Sequence, residues 1–216
     1  MIKDHHIGKN PNKRVSNMFD YKKAIQVINW LAIKAGGKIN KQKLLCLIFL
    51  ADREHMRRYG RFICGSSYRF ESLAPMQLEM KHLIDYPEAH DFTIFGLVQL
   101  FFEYDEVTQT ITSLAPVYEE EFSESDIEVL EMVWNIFGKF SSSELINIVR
   151  EFPEWKNWRM KLGKFGDYSI HNELFFENFD EKSKQKLMEY GIPVDQLILP
   201  KEDLETVKDY VLNGEG

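Results

Sequence analysis

Apolar residues recur at three- and four-residue spacings over most of this 216-residue chain, and the places where that rhythm breaks divide it into elements. From Phe19 to Ala35 the positions Ala24, Ile25, Ile28, Leu31, Ala32 and Ala35 trace one face of an amphipathic helix, and Gly36-Gly37 stops it. Asn40 is placed to cap the next helix. Its Leu44, Leu45, Leu47, Ile48, Phe49, Leu50 and Ala51 are apolar nearly all round, so this half belongs in the core; the rest turns polar and stops at Gly60. Pro75 suits the first turn of a third helix running to about Leu83, because the N–H it lacks is one a helix leaves unpaired there.

The rhythm then changes. Leu97 to Tyr104 and Thr108 to Leu114 are rich in Val, Phe, Tyr, Thr and Ile around Asp105-Glu106-Val107, which predicts a β-hairpin with Ile111 on one face and Thr110 and Thr112 on the other. Helical spacing resumes after Ser123, an N-cap, with Ile127, Leu130, Val133, Trp134 and Phe137 as a buried stripe closed by Gly138. Ser141 to Glu144 has the form of a capping box opening a helix that ends near Phe152-Pro153, and Trp155, Trp158 and Leu162 share one side of a short helix stopping at Gly163. From Asp180 two charged, lightly apolar segments, broken at Gly191 to Pro193 and at Pro200, read as peripheral helices or a tail. The fold class expected is mainly α (α+β): a compact single-domain helical bundle with one small antiparallel β-hairpin. Its parts are a polar basic leader at 1–18, a domain at 19–178 and a charged helical extension at 179–216.

Composition narrows the class. A chain that is 44% hydrophobic and 13% aromatic can bury a core, which excludes disorder of the whole. Cys46 and Cys64 are too few for a disulfide framework and fit a reducing cytoplasm. Leu44 to Ala51 is the longest apolar run, far below the ~20 residues of a membrane span, and Met1 to Met18 lacks a signal-peptide pattern, so no membrane contact is expected.

Charge is segregated. Between His82 and Gly138 there is no Lys or Arg, but there are thirteen acids, with Glu119-Glu120-Glu121 the densest cluster, in a loop before Ser123. The preceding helix is basic, and Arg53, Arg57 and Arg61, with Arg58 beside them, recur every fourth residue on what would be one face able to track phosphates or anchor a partner. The acidic pI near 5.5 stands against nucleic acid.

Residues suggestive of catalysis have plainer readings. Asp52, Glu54 and His55 point in different directions around a helix, and only Asp52 with His55 has ligand spacing; His82 or His90 adds no pattern. Glu54 with Arg58 reads as a surface ion pair, and Cys46 as an inert core thiol. Gly163-Lys164-Phe165-Gly166 fits the Gly-x-x-Gly of a KH loop in those four residues alone. No serine elbow or phosphate loop occurs, and no metal and no cofactor is expected.

Lys41 to Arg61 reads KQKLLCLIFLADREHMRRYGR, and Tyr68 to Leu83 reads YRFESLAPMQLEMKHL. Together they resemble the SocA-like antitoxins, or Panacea domains, among them phage-associated GepA-like proteins. The family's pattern runs from a QKLLYFADREHLRRYG-like helix through a turn to a Gly-Pro-Val that opens the next helix. Leu73-Ala74-Pro75-Met76 stands there in this chain; Ala74 replaces the glycine and the pliable Met76 the valine, which implies an altered contact groove. PEWKNW from Pro153 to Trp158 and YSIHNELFFEN from Tyr168 to Asn178 resemble the family's C-terminal end, so the similarity spans roughly residues 20 to 178. What the resemblance implies is a non-enzyme that binds and neutralises a cognate toxin encoded beside it, in a system of the phage-defence or prophage-borne kind. Phe70, Leu73, Pro75 and Met76 would then belong to its contact surface. A proteolytic adaptor or transcriptional regulator, with a protease or chaperone as a further partner, is the second class; a metal-dependent hydrolase or nuclease is the third.

Overall fold

A computed structural model describes residues 18–65, 67–70, 75–157 and 169–213. Helix α1 (Tyr21–Lys34) begins where the Asp20 carboxylate accepts the Lys23 N–H, and it ends before Gly36, whose positive φ turns the chain. Strand β1 (Lys38–Asn40) leads straight into α2 (Lys41–Tyr59), capped by the Asn40 side chain on the Lys43 N–H and closed by Gly60 in the left-handed region. Every residue of α2 from Leu44 to Arg57 is buried, including its polar half. A helix buried all round is the axis of its domain, and α2 packs against α1, against α5 (Glu124–Phe137), against α6 (Ser142–Val149) and, near its end, against α8 (Lys201–Asn213).

Two three-stranded antiparallel sheets flank this axis. One has the order β1–β5–β4, with β4 (Phe102–Asp105) and β5 (Thr110–Ser113) forming the hairpin and Ile39 opposite Ile111. Ile111 is buried while Thr110 and Thr112 are half-buried, as the alternation requires. The hairpin is shorter than the residue preferences suggest: residues 97–101 belong to α4 (Phe92–Phe101). The Asp91 carboxylate caps the N–H groups of Thr93 and Ile94, and Ile94, Val98 and Phe101 then form a buried helical stripe that outweighs the strand propensity of this segment.

The other sheet has the order β3–β2–β6, from β2 (Tyr68–Phe70), β3 (Pro75–Gln77) and β6 (Ser169–Ile170). Pro75 opens this strand, opposite Phe70, and the helix α3 (Leu78–Asp85) starts three residues later than the proline suggests. A proline without an N–H is tolerated at the start of a strand, and the extended backbone keeps Gln77 beside Asp52, where a helix begun at Pro75 would carry it away.

Capping boxes on Ser123 and Ser141 set the starts of α5 and α6. In α5 the buried residues include Leu130, Val133 and Phe137, while Ile127 and Trp134 are half-buried. Residues 153–157 are helical; Trp158, Leu162 and the Gly163–Gly166 loop lie outside the described residues. Helices α7 (Glu181–Glu189) and α8, expected at the periphery, place Leu187 and Leu204 with Ile192, Val194 and Leu197 in the common core. Among the described residues no helix is long and apolar enough to cross a membrane.

The centre of the core is aromatic. Phe49, fully buried, has ring centroids 5.5 Å from Tyr68, 6.1 Å from Phe175 and 6.4 Å from Phe152, so one α2 side chain joins the second sheet to the C-terminal segments. Phe49→Ala should cost about 3–5 kcal/mol in urea unfolding at an unchanged denaturant slope. A loss below about 1 kcal/mol would mean that the rings close over the gap.

Candidate functional site

The polar half of α2 carries a dense group of ionisable side chains, and it is inside. Asp52, Arg53, Glu54, His55 and Arg57 are each at most 1% exposed. Buried charges persist only with partners, and each of these has them. Asp52 accepts from the Ile63 N–H at 2.7 Å, the Tyr68 hydroxyl at 2.6 Å and the Gln77 amide at 2.7 Å, so one carboxylate ties α2 to the loop after it, to β2 and to β3. Burial pushes its pKa up to about 6, against the pull of the Tyr68 and Ile63 hydrogen bonds.

Arg53 reaches three partners. Its Nε donates to Glu154 at 2.8 Å, its Nη1 to Glu54 at 2.7 Å and its Nη2 to the Glu177 carbonyl at 3.1 Å, while its guanidinium lies 4.9 Å from the Phe152 ring centre and 5.0 Å from that of Phe179. Arg57 donates to the carbonyls of Phe175 at 2.9 Å and Glu177 at 2.8 Å and to Asn178 Oδ1 at 2.6 Å. Burial, and after it the like charge of Arg53, pushes Arg57 down to about 9, so it remains protonated at neutral pH. Arg58 reaches the Gln196 carbonyl at 2.9 Å and Glu54 at 3.5 Å.

The other side of α2 meets α5. His55 donates through Nδ1 to the Arg61 carbonyl at 2.9 Å, and its Nε2 is 3.1 Å from both Ser125 Oγ and Asp126 Oδ1. Asp126 also takes Lys23 at 2.9 Å and Arg61 at 2.8 Å. Burial alone would raise its pKa, but hydrogen bonds from His55, the Ser123 N–H and Lys23, with the charge of Arg61, hold it well below the usual carboxylate range.

These positions correct the surface expected from the sequence. Arg53 and Arg57 form no exposed basic face; their guanidiniums are taken up by Glu54, Glu154, the carbonyls of Phe175 and Glu177 and the side chain of Asn178. Arg58 and Arg61 lie at the edges of the same network, and Glu54, taken for a surface partner of Arg58, is buried. Phe70, Pro75 and Met76 are buried in the second sheet, so they present no contact surface, and Leu73 lies outside the described residues. The structural roles of Glu154, Asp126, Tyr68 and Gln77 were not read from the sequence, although Glu154 stands within the PEWKNW run, Tyr68 and Gln77 within YRFESLAPMQLEMKHL and Asp126 among the thirteen acids. Among the described residues no three His, Cys, Asp or Glu side chains converge on a metal position. Cys46 is buried with its thiol pushed up to about 11 by desolvation, and Cys64 is buried with its pKa raised well above normal for the same first reason. A cleft of about 1130 Å³ opens between the end of α6 and α7, but Glu151, Lys156 and Lys186, which face it, pair with one another.

Glu119, Glu120 and Glu121 form a 3₁₀ turn on the outside, the first two exposed. Asp85, Asp126 and Glu131 take their cations from α1–α3, namely Lys41 and Lys81, Lys23 with Arg61, and Lys34. Nine acids of the same stretch, among them Glu88, Asp91, Glu103 and Glu106, remain exposed.

Arg53→Ala strands Glu154 as a buried carboxylate, leaves Glu54 with Arg58 alone, and should cost about 3–5 kcal/mol, against less than about 0.5 kcal/mol for Arg69→Ala at an exposed strand position, both measured by chemical denaturation. Equal losses would mean the network is solvated. For Asp52, a folded pKa above the unfolded value near 3.9 means that the folded protein takes the proton first. Its contribution to stability therefore rises as pH falls from about 6 to about 4, and the cost of ionising it is fully present above about 6. Asp126 stays ionised in the folded state, so its protonation in the unfolded state adds a slope of the opposite sign as pH approaches 4, and subtracting two curves that share Asp126 cancels it. Subtracting the Asp52→Asn stability curve from wild type should therefore leave the slope of Asp52 alone, at most about 1.4 kcal/mol per pH unit. Parallel curves would place the Asp52 pKa at its unfolded value.

The family model described as Antitoxin SocA-like, Panacea domain matches residues 42–156. No curated protein and no solved structure matches the chain. The matched span holds α2 with its buried network at one end and Glu154, the partner of Arg53, at the other. With more than half of its residues inside that match, the chain belongs to the SocA-like antitoxin family of Panacea domains.

Proposed function

We propose that this chain is the antitoxin of a toxin–antitoxin pair, acting in the cytoplasm by stoichiometric binding of a basic protein toxin encoded beside it. The observation that carries the reading is the acidic stretch: no Lys or Arg between His82 and Gly138, with most of its acids exposed. Of the acid-bearing segments, β4 and the Glu119–Glu121 turn both pack on α1. Toxins that act on nucleic acid need positive surface to meet phosphate, and an acidic face attracts and occludes that surface. The chemistry of the interior supports the same reading, because the buried ionisable groups are committed to one another instead of facing a cleft.

Exposed charges of this kind set the association rate, and their field is screened beyond roughly 8 Å at physiological salt. Glu119 and Glu120 form no ion pair among the described residues, so changing Glu119, Glu120 and Glu121 to Gln should leave folding nearly intact. Against the product of the adjacent gene, the triple variant should show a slower association rate with a flatter salt dependence and a nearly unchanged dissociation rate in surface-binding kinetics. Co-expression of the wild-type chain should rescue growth from that product. If neither adjacent product is toxic alone and neither is bound, the antitoxin reading fails; an unchanged association rate and salt slope would reduce the acidic cluster to a solvated face.

A further inference from the structure

Helix α4 is the anomaly of the surface. Its sequence, FTIFGLVQLF, contains no charged residue. A helix of that composition belongs in an interior, packed on both faces. Here one face is packed: Ile94, Val98 and Phe101 are buried, and the helix rests on α1. The opposite face, Phe92, Thr93, Gly96, Gln99 and Leu100, is exposed, with Phe92 at 89% and Leu100 at 50%. Phe92, Gly96 and Leu100 recur every fourth residue, which lines them up along one stripe. A Cβ at Gly96 would meet nothing within 4 Å, so between two apolar anchors the backbone is open to close approach. Apolar exposure continues at the end of the helix, where Leu114, 52% exposed, donates its N–H to the Phe101 carbonyl and the ring of Tyr118, 44% exposed, stands 4.7 Å from that of Phe101.

Acids frame this stripe. Glu88 and Asp91 precede it, and Glu103, Asp105 and Glu106 follow it, all exposed. That rim decides between occupants. A second copy of the chain would bring like charges together across the contact, which costs energy at every rim position. A complementary occupant has an apolar stripe flanked by Lys and Arg.

We propose that α4 is a docking face for a basic amphipathic helix of the partner protein, with Phe92, Gly96 and Leu100 against its apolar stripe and the acidic rim against its cations. This rests on the antitoxin reading for the identity of the partner, not for the chemistry of the face. Helix-on-helix packing of this kind concentrates binding energy in a few apolar anchors, while the rim governs approach.

The test has two arms, each using the full-length chain and its variants Leu100→Lys and Phe92→Ser, whose exposed positions keep the fold intact. In the first, a synthetic Leu/Lys amphipathic peptide of about 18 residues is titrated by fluorescence anisotropy, with a Leu/Glu peptide of the same pattern as control. Expected are saturable binding of the Leu/Lys peptide alone and a loss of about tenfold or more in both variants. Equal binding by wild type and variants, or no binding, overturns the proposal. In the second arm the adjacent gene product is the probe, and the two variants should raise its dissociation rate about tenfold or more while Glu119, Glu120 and Glu121 to Gln acts on association. A toxin bound and neutralised equally by wild type and α4 variants sinks the docking face and leaves the antitoxin reading standing. If no adjacent product is toxic or bound, that reading falls and the peptide arm decides the face alone. Concentration-dependent dimerisation abolished by Leu100→Lys in sedimentation, or a gain in peptide affinity of about tenfold for a chain starting at Met18, would assign the face to a second copy or to the chain's own leader and overturn the proposal.

Discussion

Two guanidinium groups in the middle of the core set the terms for everything around them. Arg53 and Arg57 sit one helical turn apart on α2, both out of contact with water. Desolvating such charges costs several kcal/mol each, so the fold forms only where carboxylates and carbonyls surround them in the right geometry. Glu154 comes from 101 residues downstream of Arg53, and the carbonyls of Phe175 and Glu177 from further still. The planar fork of an arginine accepts partners only in certain directions, so it places these segments as well as attracting them. Stacking of the Arg53 guanidinium against Phe152 and Phe179 merges this polar network with the aromatic core around Phe49.

This arrangement changes what the recurring motif of the helix means. A run of Asp, Arg, Glu, His and Arg looks like equipment for catalysis or for phosphate. In the structure it is the joint that holds α2 to β2, β3, α5 and the C-terminal segments. On the proposals made above, recognition falls to the outside, where β4, the Glu119–Glu121 turn and α4 pack on α1. The two differ in physical role: distributed charge acts over a Debye length and speeds encounter, whereas apolar anchors act at contact and hold the complex.

Much of the fold was legible because its signals are local. Asn40, Ser123 and Ser141 announce helix starts by hydrogen bonds that span three residues, and Gly60 marks an end by a backbone angle that favours glycine. The misreadings came where a local preference met a distant demand. Pro75 opens helices in general, but here Gln77 must stay extended to reach Asp52. Residues 97–101 have strand-like composition, but the cap at Asp91 and the stripe Ile94, Val98 and Phe101 make them helical. The candidate site fared worse, since Arg53 and Arg57 were correctly spaced as a face but that face points inward, and Arg61 lies past the end of the helix.

By itself the sequence determined the helical character, the caps, the hairpin around Ile111, the segregation of acids and the family, because periodicity, capping chemistry and composition are properties of neighbouring residues. Tertiary structure alone decided which charges are inside. Whether an arginine faces water or core depends on whether a carboxylate such as Glu154 arrives beside it, and no spacing along the chain records a meeting across 101 residues. The same holds in reverse for α4, whose uncharged sequence reads as core until the packed chain shows that nothing among the described residues covers its Phe92 and Leu100 face.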